Sequence, residues 1–139
     1  MTVDIRFFSD GISFKLEDKR KISKWLKQVV IKERKKTGML HYIFVSDETI
    51  LDMNNKYLHH NEYTDIITFD KNEADLISGE MYISIDSVRE NAKEYHVNFR
   101  NELLRVMVHG VLHLCGYNDK TCIEQKEMRE LEEEYLKHI

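Results

Sequence analysis

Between Asn98 and Cys115 the chain reads Asn-Phe-Arg-Asn-Glu-Leu-Leu-Arg-Val-Met-Val-His-Gly-Val-Leu-His-Leu-Cys. At 3.6 residues per turn, Leu103, Leu104, Val106, Met107, Val108, Val111, Leu112 and Leu114 point in nearly every direction around the axis. A helix apolar on all sides is stable only when other elements cover it. The segment is therefore expected to be the central buried helix, and the remaining residues must supply its cover. Gly116 is placed to stop it.

The cover reads as strands and amphipathic helices. Val3, Ile5 and Phe7 alternate with polar residues over 2–8, the period of a strand. After a turn at Ser9-Asp10-Gly11, Ile22, Trp25, Leu26, Val29 and Val30 fall at helical spacing with lysines opposite, and Gly38 is expected in the connection that follows. Residues 40–45 read as a buried strand, followed by a short helix from Asp47, its expected N-cap, to Asn55. Residues 56–64 lack a period and read as a loop, with strands predicted over 65–69 and 80–85 and a polar connection over 72–78. Val88, Ala92 and Tyr95 mark another helix. The last opens at a Thr121-x-x-Glu124 capping box and is expected to bury Ile123, Met128, Leu131 and Tyr135 with its glutamates in water. The order βαβαββααα implies an α+β fold, a four-stranded mixed β-sheet packed with about five helices, in a single domain over 1–139.

The chain has 139 residues, no proline, two cysteines and net charge −4. It lacks an apolar run of the roughly 20 residues a membrane span needs, and Met1-Thr2-Val3-Asp4-Ile5-Arg6 does not resemble a signal peptide. Two cysteines outside a Cys-x-x-Cys pair fit a reducing compartment, so a cytoplasmic protein without membrane contact is expected, with Cys115 and Cys122 as packing residues. Charge is unevenly placed: residues 1–40 carry 11 Lys+Arg against 5 Asp+Glu, and residues 41–139 carry 10 against 20. A basic face can exist on this acidic protein.

His109 and His113 stand at i and i+4, one turn apart on a common helix face, a spacing at which two imidazoles can grip one metal ion. Gly116 lets the chain turn, and Asp119 can bring a carboxylate back. His109, His113 and Asp119 are therefore the candidate metal ligands. Three protein ligands leave a fourth position open, the arrangement of a catalytic zinc. Metzincin proteases share this spacing but place a general-base glutamate directly after the first histidine, where this chain has Gly110. A peptidase is disfavoured.

The segment His109-Gly-Val-Leu-His113-Leu-Cys-Gly-Tyr117-Asn118-Asp119 resembles the signature His-Gly-x-Leu-His-Leu-x-Gly-Tyr-Asp-His of the YbeY endoribonucleases. Met53-Asn-Asn-Lys-Tyr57-Leu58, Thr64-Asp-Ile-Ile-Thr-Phe69 and Gly79-Glu-Met-Tyr-Ile83 are similar to further stretches of that family. The resemblance implies a cytoplasmic, zinc-dependent, single-strand-specific endoribonuclease acting in ribosomal RNA processing and ribosome quality control. It implies one Zn2+ per chain on His109 and His113, with Asp119 in place of a third histidine. The implied partners are single-stranded or ribosomal RNA and components of the small ribosomal subunit. The family arginine after the tyrosine is Leu58 here, so its role does not carry over, and His59 or His60 could substitute. The catalytic acid and base are left unassigned, with a metal-activated water expected to do the chemistry. The basic N-terminal run could form one wall of an RNA groove, with Tyr57 and Tyr63 available to stack on bases. The competing reading is a non-catalytic ribosome-assembly factor with a structural metal, closed by a fourth ligand such as His59 or His60.

Overall fold

The computed structural model describes residues 3–58 and 64–139. Nine elements follow in order among them: β1 (Asp4–Ser9), α1 (Lys19–Lys32), β2 (Lys36–Val45), α2 (Asp47–Leu58), β3 (Ile66–Asp70), β4 (Leu76–Ser84), α3 (Ile85–Glu94), α4 (Phe99–Leu114) and α5 (Cys122–Leu136). The sheet order is β1-β2-β4-β3. β1, β2 and β4 run parallel and β3 antiparallel to β4, so the sheet is mixed and the fold α+β, as the element order implied.

Alternation along β2 sorts the two faces. Leu40, Tyr42 and Phe44 join the main core with residues of α1, α3, α4 and α5. Ile43 and Val45 face the other way, into a small cluster with Ile50 and Met53 of α2 and Ile67 of β3. α4 is the centre of the large core. From Glu102 to Leu114 only His109 and His113 escape full burial. Asn98 caps its start by accepting from the Asn101 N–H at 2.7 Å. Its end is a Schellman turn: Gly116 sits at φ +112°, its N–H donates to His113 O, and the Tyr117 N–H reaches back to Leu112 O.

Several local expectations are corrected. Gly38 is not in the connection but inside β2, where a Cβ would lie 2.3 Å from Ser78 Oγ. The turn before β2 uses Arg34 at φ +61° instead. Both β2 and β4 begin four residues before the predicted strands, and Ile85 already belongs to α3. At α2 the cap is Ser46, whose Oγ accepts from the Thr49 N–H. Asp47 instead turns its carboxylate to the hydroxyls of Ser84 and Ser87, tying α2 to the start of α3. Tyr95 and Ile123 are 46% and 72% exposed, so neither belongs to the buried stripe of its helix. Thr2, His59, His60 and Tyr63 lie outside the described residues, as does the side chain of Leu58.

Candidate metal centre

α4 carries His109 and His113 one turn apart, but their surroundings differ. His109 is half-buried between α4 and α5, and its two ring nitrogens face two carboxylates. Nδ1 lies 2.7 Å from Glu132 Oε2. Nε2 lies 3.3 Å from Asp119 Oδ2. The turn after α4 thus brings Asp119 back to His109 alone, where the sequence spacing predicts a return towards both imidazoles. His113 is exposed, with Nδ1 at 3.1 Å from Tyr117 O. Among the described residues, no group of three His, Cys, Asp or Glu side chains is arranged to hold an ion. The structure therefore assembles His109 and Asp119, while His113 stands apart from them.

The Asp119 loop is held from several sides. Tyr117 Oη donates to Glu33 Oε1 at 2.6 Å, and Tyr135 of α5 donates to the other oxygen of the same carboxylate. Asn72 Nδ2 donates to Leu114 O at 2.7 Å. The Thr121–Glu124 capping box is formed in both directions and launches α5 back along α4. Eight residues beyond Glu124 this path places Glu132 beneath His109.

Glu132 corrects the expectation that the glutamates of this helix face water, because it is only 5% exposed. Arg105 stands beside it, with Nη1 at 3.4 Å from Glu132 Oε1 and Nη2 bonded to Glu133. Arg105 Nε faces Glu102 Oε1 at 3.6 Å, and among the described residues neither of those two buried atoms has a hydrogen-bond partner. Burial opposes a charged His109, but the Glu132 carboxylate, with Asp65 and Asp119, outweighs it and raises the imidazole above its ordinary pKa. Burial likewise raises the carboxyls of Asp65 and Glu102. Asp65, Glu102, Arg105, His109, Asp119 and Glu132 share one open cleft of about 580 Å³.

Gly110 explains why the protease glutamate has no counterpart. A Cβ there would lie 2.7 Å from Met81 Sδ and 3.0 Å from Ile66 Cδ1, so a side chain at this position would have to displace Met81 and Ile66 from beneath α4. Glu132, Asp65 and Arg105 were missed by sequence reasoning. Glu132 is 23 positions from His109, and only the packing of α5 on α4 joins them. For Asp65 the one available signal was its place in a stretch similar to the family.

The comparisons with known proteins agree with this architecture. A family model described as Endoribonuclease YbeY matches residues 7–139. The Endoribonuclease YbeY of Parabacteroides distasonis is 46% identical over 132 residues, covering 95% of this chain and 93% of that protein. That of Azobacteroides pseudotrichonymphae is 48% identical over 121 residues, covering 86% and 87%. The solution structure of TM1509 from Thermotoga maritima superposes with a TM-score of 0.66 at 32% identity, over 95% of this chain and 86% of that one. The chain belongs to the YbeY endoribonuclease family.

Proposed function

We propose that this protein is a zinc-dependent, single-strand-specific endoribonuclease that acts on ribosomal RNA during its maturation and in ribosome quality control. Its setting is the cytoplasm, with contacts to components of the small ribosomal subunit. Among the described residues, no helix is long and apolar enough to cross a membrane.

The observation that carries the reading is the approach of Asp119 Oδ2 to His109 Nε2 at the cleft, with Glu132 on the opposite ring nitrogen. The donor chemistry fits zinc. With Nδ1 of His109 turned to Glu132 and Nδ1 of His113 turned to Tyr117 O, the nitrogen left on each ring is Nε2, and Asp119 adds a carboxylate oxygen. His109, His113 and Asp119 would hold one ion, His113 being the ligand that binding must draw in. Bound there, zinc supplies Lewis acidity toward a phosphodiester and toward water.

The chain's own groups do the rest. Glu132 fixes the tautomer and orientation of His109, and Arg105 fixes Glu132. Asp65, held by the Asn91 amide at 3.3 Å and kept above the usual carboxylate range by burial, lines the same cleft and can hold a proton there. Asp119 is 43% exposed, so the cleft is open on its side, as a substrate site requires. Gly110 stands where the metzincin proteases carry their general-base glutamate, which disfavours a peptidase.

The test is cleavage of single-stranded RNA, duplex RNA and casein by protein purified without chelator, with His109→Ala as control. Slow cleavage of single-stranded RNA alone, abolished in the variant, is expected. Clean protein that cleaves no RNA with zinc, manganese or magnesium, yet binds ribosomal particles, would establish the assembly-factor reading instead.

A further inference from the structure

The positive charge of the N-terminal region gathers on a surface away from His109. Arg20, Ser23, Lys24 and Lys27 recur on α1 at intervals of three and four, which makes one stripe along the helix. The stripe faces β1, the strand at the edge of the sheet with β2 alone beside it. Between them runs a groove of about 670 Å³. Ile5 and Phe7 of β1 line it on the side of α1, while Arg6 and Phe8 border it from the other face of the sheet, where the Phe8 ring stands edge-on to His41 of β2. Phe8 is 44% exposed.

Among the described residues, no carboxylate lines this groove, and Lys19, Arg20, Lys24 and Lys27 make no ion pair. Like charges at these helical spacings oppose the helix that carries them, so the stripe has a standing cost that a polyanion relieves. Arg6, on the exposed edge and bonded to Asp4 at 2.6 Å, makes that edge a poor template for a pairing strand.

We propose that the groove between β1 and α1 is a docking site for the phosphate backbone of single-stranded RNA. This rests on the ribonuclease reading of the cleft and extends it. β1 lies three strand spacings, about 14 Å, from β3, whose preceding residue Asp65 lines the cleft. The groove is thus a separate site, and only RNA long enough to span the two uses both.

The probes are fluorescent single-stranded RNAs of about 16 and about 4 nucleotides. Anisotropy titrations at several salt concentrations compare the wild type with Arg20→Glu/Lys24→Glu/Lys27→Glu. A control of equal charge carries Lys21→Glu/Lys32→Glu/Lys36→Glu, all outside the groove. At about 0.7 per phosphate contact on single strands, the groove variant should lower the slope of log affinity against log salt by about 2 for the long RNA. The control should keep the wild-type slope. Cleavage of the short RNA is measured separately: its absence in the wild type refutes the ribonuclease reading, while the anisotropy still decides the groove. If the groove triple does not fold, the same positions are changed to glutamine. Equal slopes in groove variant and control overturn the proposal, as does a groove variant that keeps RNA binding but loses binding of polyglutamate.

Discussion

The carboxylate of Glu132 stands 2.7 Å from Nδ1 of His109, almost wholly out of water, and links a residue of the last helix to the central one. A carboxylate in that position fixes the ring, sets which nitrogen is free and strengthens that nitrogen as a ligand. Glu132→Gln keeps the shape and removes the charge, so zinc affinity, read by competition with a chromophoric chelator, should fall about 10- to 100-fold. Unchanged affinity would show that Glu132 serves packing alone.

Gly110→Ala should destabilise the protein by about 1–3 kcal/mol, because the added methyl meets Met81 and Ile66 where the helix rests on the sheet. Gly110→Glu, the change toward the protease pattern, should fail to fold and give no peptidase. Urea denaturation of the alanine variant checks the first statement. A Gly110→Ala protein as stable as wild type would mean that α4 and β4 have more room than the structure gives them.

The two thiols should react very differently. Burial first, and then the nearby Glu33 carboxylate, push the Cys115 thiol up to about 11, so at pH 8 it stays protonated and unreactive. Cys122 is exposed at the start of α5. Titration of the native protein with a thiol reagent at pH 8 should show one fast equivalent, lost in Cys122→Ser, and a second only on unfolding. Two fast equivalents in native protein contradict the packing of Cys115.

Glu33 accepts from both Tyr117 and Tyr135, so the end of α1 holds the Asp119 loop and α5 together. The carboxylate raises the Tyr117 hydroxyl to about 12, and it remains a donor through neutral pH. Tyr117→Phe should cost about 1.5 kcal/mol and loosen the loop, lowering zinc affinity as well as the urea midpoint. Loss of stability with zinc affinity unchanged would separate the latch from the site.

How far the sequence reached follows from the range of each interaction. α4 was legible because its apolar residues face every side and its stop at Gly116 is local, whereas the cap at Asn98 emerged only with the structure. The return of Asp119 to His109 was legible for the same reason, since ten residues and one turn connect them. Glu132 was not, because a glutamate among glutamates on an amphipathic helix reads as solvated until the packing of α5 is known. Gly38 misled for a related reason: its neighbour is Ser78 on another strand, and a glycine demanded by close approach reads like one demanded by a turn. Ile123 has the apolar character of a buried residue but lies in the first turn of α5, where the chain is still at the surface.

The central claim is that His109, His113 and Asp119 hold one zinc ion, and zinc content by elemental analysis after dialysis tests it most directly. The account predicts one zinc per chain in the wild type and in Asp119→His, and none in Asp119→Ala or in the double variant His109→Ala/His113→Ala. A wild-type zinc content no different from that of the double variant would contradict it.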